Sequence, residues 1–336
     1  MIKDKKKLAR VIATWLVTGV MLSVFILDTV VLVLDNIYVS KAEIINEDFS
    51  GNTGDDKIHF LNTSNSDCIL IESNGLFALV DSGEGNENPR KDTEYKGYRD
   101  EVINYIKKVA SDEDGVVHLD FILATHMHYD HAGNFTEIIN CDDIRIKKAY
   151  IKKYDSSSVL KMDEENWGNG EMYKNIITAL NKKNIPVIQN IPSEQFTFGD
   201  FTVQFINATT PEEIDVKDEN SNSIGVKISK GEKNAFLAAD FTSGTGLEDY
   251  YAESIGDVDL LKIGHHGYFG SSSKDFLQVL KPEIAVCTNQ IGKIYPNVKW
   301  NLTMVAKASV FSTAHRNGII ATFTDKNEII LTQNIM

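Results

Sequence analysis

Four potential metal ligands, His126, His128, Asp130 and His131, fall within six positions directly after the apolar run at residues 119–124. A short apolar run with polar flanks reads as a buried strand, and the loop at its end is where side chains gather for chemistry. His126 and His128, two apart in an extended turn, can aim both imidazoles at one cation, while Asp130 and His131 can serve a second. Gly133 lets the following helix begin close to them. A lone histidine is usually a surface or core residue. Four ligand types packed this tightly behind an apolar strand are hard to explain as packing.

Two further strand ends complement the first. Residues 236–239 are apolar and close on Asp240, whose carboxylate oxygens suit two cations at once; taken alone, such an Asp is often a turn residue or helix cap. Residues 260–263 lead into Gly264-His265-His266-Gly267, where the glycines permit close backbone approach. Together the three clusters form a constellation in which each member supports the others.

Around them the pattern is of short strands and helices. Strands are predicted near residues 58–61, 68–71 and 76–80, with a hairpin signal at Ser73-Asn74-Gly75, then at 119–124 and 149–151. Helices are predicted over 98–110, after His131, and over 171–183. Strands follow near 196–206, 224–229, 234–239 and 258–263, then a helix at 273–280, a strand at 283–287, a helix near 302–316 and two final strands. Mixed in this way, they indicate an α/β or α+β layered domain over residues 57–336. Cys68, Cys141 and Cys287 are widely spaced and define no disulfide framework; the first and last lie in apolar runs and read as buried.

Residues 11–34 are long and apolar enough to cross a bilayer, with Asp28 the one charge among them. Lys3, Lys5, Lys6, Lys7 and Arg10 precede them, so the positive-inside bias keeps residues 1–10 cytoplasmic and sends the rest across. The expectation is an anchor at 11–34, a linker at 35–56 and an extracytoplasmic domain, with secretion after cleavage near Ala42 as the alternative and a buried core helix as the weakest reading. The net charge is −14, and residues 1–10 contribute +4 of it, leaving −18 on the remainder. Such a balance repels polyanions and weighs against non-specific nucleic-acid binding.

The motif His126-x-His128-x-Asp130-His131, the strand-end Asp240 and the late histidine pair resemble those of the metallo-β-lactamase superfamily. Within it the chain is similar to the catalytic modules of teichoic-acid phosphorylcholine esterases and, more loosely, to ComEC-type hydrolase domains. The resemblance runs over residues 57–289 and includes Lys57-Ile58-His59-Phe60-Leu61-Asn62-Thr63, Val80-Asp81-Ser82-Gly83-Glu84 and Asn220-Ser221-Asn222-Ser223. It implies an αββα sandwich with two divalent cations, commonly zinc. His126 and His128 would hold the first and Asp130 and His131 the second. Asp240 would bridge, His266 would be the late ligand with His265 as second choice, and Asp81 would brace the loop from behind. Two departures stand out: no histidine lies between His131 and Asp240, and choline-binding repeats are absent.

The chemistry so implied is hydrolysis by a metal-activated water, with Asp130 and Asp240 as the catalytic carboxylates and a phosphodiester as substrate, in first place a phosphorylcholine-type ester on a surface polymer or lipid. Trp167, Tyr129 and Tyr268 are candidates for an aromatic pocket around a quaternary ammonium, although aromatic residues taken singly are usually core. A ComEC-like extracellular nuclease is the alternative, for which Lys147-Lys148, Lys152-Lys153 and Lys182-Lys183 would supply local basic patches. A non-catalytic binding module on the same fold, or a β-lactamase or thioesterase, stands behind it.

Overall fold

A computed structural model describes residues 2–38, 44–45, 56–90, 95–214, 216 and 218–336. Ala42 and residues 46–55 of the expected linker lie outside the described residues. Of that linker, Ile44–Ile45 runs parallel to Leu331 and Thr332 at a sheet edge, and Asp56 opens the strand Asp56–Phe60.

Two sheets form the body. In one, the strands lie in the order Ile44–Ile45, Ile329–Gln333, Ile319–Phe323, Asp56–Phe60, Ile69–Ser73, Leu76–Val80, Val117–Ala124, Ala149–Ile151 and Val187–Ile188, with Ile144–Ile146 also paired to Val117–Ala124. In the other the order is Ser309–Ser312, Ile284–Cys287, Leu260–Lys262, Lys233–Leu237, Gly225–Lys230, Phe201–Ile206 and Phe196–Phe198. The first sheet takes strands from both ends of the chain, so the final hairpin closes against Asp56–Phe60 in antiparallel register.

The two-residue period of a strand explains why both sheet faces are apolar. Ile69, Ile71, Ala78, Val80, Phe121 and Leu123 point between the sheets and meet Val203, Phe205, Val226 and Leu237 of the other sheet. Leu70, Leu79 and Ile122 point outward, under the helices Arg99–Ala110, Phe135–Asn140 and Asn169–Lys182. The second sheet is covered likewise by Leu247–Ile255, Lys274–Leu280 and Pro296–Trp300. The result is the αββα sandwich that the family resemblance implied.

Several elements differ from expectation, among them the helix Leu247–Ile255 and the short strands Ile144–Ile146 and Val187–Ile188, none of which was foreseen. Residues 196–206 are two strands folded at Gly199, whose φ of +59° suits glycine. Residues 302–316 are not one helix: a π-helical turn, Asn301–Ala306, stops at Lys307 with φ +60°, and Ser309–Ser312 then joins the second sheet beside Ile284–Cys287. Val310 packs under the helices and Phe311 between the sheets. A four-residue run is too short for helical and strand periods to be told apart. Helix Lys161–Trp167 was not foreseen, because it buries no residue and so carries no apolar period. The N-terminal helix spans Ile2–Tyr38, and its segment Lys6–Val30 is long and apolar enough to cross a membrane.

Phe121 makes edge contacts with Tyr150, Phe196, Phe198 and Phe205 at centroid separations of 5.5, 6.1, 5.4 and 6.1 Å. It therefore stitches the two sheets together. Phe121→Ala should lower stability by about 3–5 kcal/mol in chemical denaturation; a loss below ~1 kcal/mol would show that this contact is not central to the core.

Candidate metal centre

Three strand ends converge at one edge of the sandwich. Val117–Ala124 of the first sheet runs into Thr125 to His131, and Lys233–Leu237 and Leu260–Lys262 of the second run into Asp240 and His265-His266. The last two strands are parallel neighbours, so their carboxyl ends open on the same side, as ligand sites in such sheets generally do. A cavity of about 510 Å³ lies at their amino ends, lined by Lys233, Asp259 and Glu283, away from these residues.

Backbone geometry brings the loops close. A Cβ on Gly264 would stand 2.1 Å from the Phe241 carbonyl oxygen, and one on Gly133 2.3 Å from that of Tyr129. Asp81, Ala239, His265 and His266 all hold positive φ, between 45° and 57°. Each costs of order 1–3 kcal/mol and persists because the surroundings over-determine it.

The Asp240 carboxylate faces two sets of imidazoles. Its Oδ1 lies 3.2 Å from His131 Nε2 and 3.5 Å from His266 Nε2; its Oδ2 lies 3.6 Å from His126 Nε2 and 3.8 Å from His265 Nε2. His131 Nε2 and His266 Nε2 are 3.1 Å apart, as are His126 Nε2 and His128 Nδ1 at 3.2 Å. Asp130 Oδ2 is 3.5 Å from His266 Nε2, while Asp130 Oδ1 is buried with no hydrogen-bond partner. One ligand atom each from His126, His128 and Asp240 lies within 4.8 Å of the others, and the same holds for His131, Asp240, His266 and Asp67. His265, at the rim, is the more exposed of the histidine pair.

Each imidazole but that of His265 is held from behind by an oxygen. His131 Nδ1 is 2.8 Å from Asp81 Oδ2, and Asp81 also accepts from the Thr125 backbone N–H and hydroxyl. His266 Nδ1 is 3.0 Å from Thr288 Oγ1 and 3.3 Å from Asp67 Oδ1. His128 Nε2 is 3.0 Å from Asp163 Oδ1, and His126 Nδ1 is 3.1 Å from Thr125 Oγ1. Ligating histidines generally have such partners, which fix ring orientation. Asp67 belongs to this outer layer: it meets the Nδ1 side of His266 and is paired to the buried Lys262 ammonium and the Thr288 hydroxyl.

The electrostatics suit a cation. Burial works against charge on His131 and His266, yet Asp240, together with Asp81 for the first and Asp67 for the second, raises both, His266 to about 9. Burial likewise opposes the charge on Asp130 and Asp240, but the neighbouring histidines hold both carboxyls below their ordinary range. His126 is driven well down by burial and then by His131. Protons on the imidazoles thus stand where the positive charge of divalent ions would balance four buried carboxylates. The donor set of nitrogens and oxygens and the orphaned Asp130 oxygen fit divalent metal.

The expected pocket residues divide. Trp167 stacks on His128, centroids 4.5 Å apart at 24°, and the Arg90 guanidinium lies 4.3 Å from its ring and 3.5 Å from that of Tyr95. Tyr268 lies 5.5 Å from the His265 ring and 6.2 Å from that of His266. Tyr129 is buried among the residues under the first sheet's helices, and with Trp167 it walls a separate groove of about 350 Å³.

Asp67, Asp163, Lys262 and Thr288 were not singled out in the sequence. Lys262 carried a signal: a lysine inside the apolar run Leu260-Leu261-Lys262-Ile263 needs a carboxylate partner when buried. Asp67 and Asp163 sit in polar segments where nothing local separates them from solvated neighbours.

A family model described as a beta-lactamase superfamily domain matches residues 96–268. The chain is 22% identical over 216 residues to Recombination protein 2 of Haemophilus influenzae, covering 64% of this chain and 22% of that protein. It is 23% identical over 179 residues to ComE operon protein 3 of Bacillus subtilis, covering 51% and 20%. The chain thus spans about a fifth of the length of these relatives. Among solved structures it is similar to the metallo-beta-lactamase fold protein YhfI from Bacillus subtilis, at 13% identity and a TM-score of 0.46, covering 79% of this chain and 98% of that one.

Two outcomes follow from the buried charges. Lys262→Met should cost about 3–5 kcal/mol by leaving Asp67 unpaired, and adding Asp67→Asn should recover much of it; equal stability of single and double variants would contradict the pairing. His266 is raised from 6.5 to about 9, so its contribution to the metal-free fold is complete below pH 6.5 and lost as pH rises through about 9. The melting temperature of metal-stripped protein should therefore fall between those pH values, and less so in His266→Ala.

Proposed function

The chain belongs to the beta-lactamase superfamily, and from that premise we propose that it is a membrane-anchored, extracytoplasmic hydrolase of phosphodiesters that uses two divalent cations, zinc in first place. The observation that carries this reading is the division of the Asp240 carboxylate between two histidine sets. His126 and His128 would hold one ion and Asp130, His131 and His266 the other, with Asp240 shared and His265 in reserve. Bound there, two such ions acidify water toward neutral pH and neutralise charge on a phosphoryl oxygen.

The chain's own residues supply the rest. Asp81, Asp163 and Thr288 fix the imidazoles so that little reorganisation accompanies binding. Asp130 Oδ1, buried and unpartnered, is the acceptor that orients an attacking water. The nucleophile needs no serine or cysteine. Trp167 and Tyr268 wall the approach.

Phosphorylcholine is the leading form of the diester. In its support, the faces of Trp167 and Tyr95 beside the centre already accept a cation, the Arg90 guanidinium, which pairs with Glu84. A choline ammonium would take the guanidinium's place. The apolar helix with its basic flank supports anchoring with the domain outside; secretion after cleavage near Ala42 is the alternative.

Similarity to Recombination protein 2 favours a second reading, a nuclease. The basic patches speak against it. Lys147 pairs with Asp120 at 3.2 Å and Lys183 with Asp142 at 2.9 Å, while Lys152 turns inward to Thr210 Oγ1 and the Asn222 carbonyl, where burial lowers it to about 7.

Purified full-length chain should contain about two metal ions and cleave both bis-p-nitrophenyl phosphate and p-nitrophenyl-phosphorylcholine. Asp240→Ala should lose metal and both activities, and Asp163→Asn should weaken metal binding about 10–100-fold. Activity on the generic diester alone would move the reading toward the nuclease. No metal and no turnover would leave a binding module.

A further inference from the structure

Within Lys6–Val30 the apolar helix meets the domain near its carboxyl end. Leu27 and Asp28 are half-buried, whereas the other residues from Lys6 to Val30 are exposed. Asp28 pairs with the Lys299 ammonium, itself almost wholly buried, and the helix packs against Pro296–Trp300 and Ser309–Ser312. Lys6–Val30 spans roughly 37 Å as a helix, so a bilayer around it puts Asp28 near the outer headgroups. There a buried ion pair costs least and anchors the domain in a fixed orientation.

Next to that clasp the domain exposes a group of large apolar and aromatic side chains. Trp300 follows Lys299 directly, and Met304 lies one turn on; they are 48% and 46% exposed. Tyr295, one turn before Lys299, is 43% exposed, and Phe269, whose ring lies 6.0 Å from Tyr295, is 72% exposed. Scattered exposed residues are ordinary, but these flank the exit of an apolar helix, and Trp and Tyr concentrate at membrane interfaces. The patch is also continuous with the centre: Tyr268 stands 6.3 Å from Tyr295 and 5.5 Å from His265.

We propose that the face carrying Phe269, Tyr295, Trp300 and Met304 is seated in the headgroup layer of the bilayer that the helix crosses, and that the centre beside it works on phosphodiesters of membrane lipids. The Asp28–Lys299 clasp sets the depth and tilt of this face. A lipid headgroup at that level reaches the centre past Tyr268 without leaving the membrane surface, whereas a soluble diester must approach from the side. The substrate part rests on the anchored-hydrolase reading; the seating of the face does not depend on catalysis.

The test uses the full chain reconstituted into vesicles of phosphatidylcholine and phosphatidylglycerol. In W15F/W167F, Trp300 is the remaining tryptophan, and its emission should fall at least twofold when nitroxide-labelled phosphatidylcholine is included, with little response to aqueous iodide. Flotation with the vesicles but quenching by iodide alone would overturn the seating while the anchor stands; a chain that does not float would overturn both. In the otherwise wild-type chain, W300S/M304S should slow hydrolysis of the vesicle lipids about tenfold and leave bis-p-nitrophenyl phosphate unchanged. Equal rates on lipid for both proteins, an equal loss on both substrates, or turnover of the soluble diester with none of lipid would overturn the lipid assignment. Absence of any turnover by the wild-type chain would sink the hydrolase reading and with it the substrate, the seating being decided by quenching.

Discussion

Four carboxylates, Asp67, Asp81, Asp130 and Asp240, are buried within one small volume, and the rest of the site is arranged to make that tolerable. Like charges in a low dielectric repel by several kcal/mol, so such a cluster survives only if positive charge is placed inside it. Lys262 pairs with Asp67; the surrounding carboxylates favour the protonated forms of His131 and His266 in the metal-free chain, and divalent ions would take over from those protons. The imidazoles are therefore held both by what faces them and by what stands behind them, which leaves few alternative arrangements for the loops.

That crowding explains the backbone. Asp240 follows Ala239 at positive φ, and His265 and His266 are consecutive left-handed residues, a conformation that neither would adopt alone. The strain persists because Gly264 brings the His265-His266 turn against Phe241, locking two strand ends of one sheet together. Opposite them, Gly85 and Gly133 let the loop after Asp81 lie backbone to backbone against the short helix Tyr129–Ala132. The sandwich core, with Phe121 at its middle, keeps the two sheets in the relative position that this meeting requires.

The same body meets the apolar helix through the Asp28–Lys299 ion pair and packing on Pro296–Trp300 and Ser309–Ser312, beside an exposed aromatic rim. A flexible tether would leave the centre free to face any direction; a clasp at Lys299 restricts it. The link between helix, rim and centre runs through Pro296–Trp300 and Tyr268, segments that lie far apart in sequence from the histidine motif.

Much of this was legible in the chain. The histidine motif after residues 119–124, Asp240 closing one apolar run and His265-His266 closing another are local patterns, because a strand end and its ligands are contiguous. The order of elements likewise pointed to an α/β or α+β layered domain, since binary patterning is a short-range property; the two-sheet sandwich was implied by the family resemblance. What escaped included the amphipathic helix Leu247–Ile255, a local pattern that was simply missed, and features that were long-range or without period: the strand Ser309–Ser312, too short to declare its period; helix Lys161–Trp167, which buries nothing; and Asp67 and Asp163, ordinary polar residues until the fold sets them behind His266 and His128. Sequence determined which side chains are available at each strand end. Only the tertiary structure decided which oxygens of Asp240 meet which imidazoles, and which carboxylates stand behind them, because those relations depend on the packing of two sheets and not on any spacing along the chain.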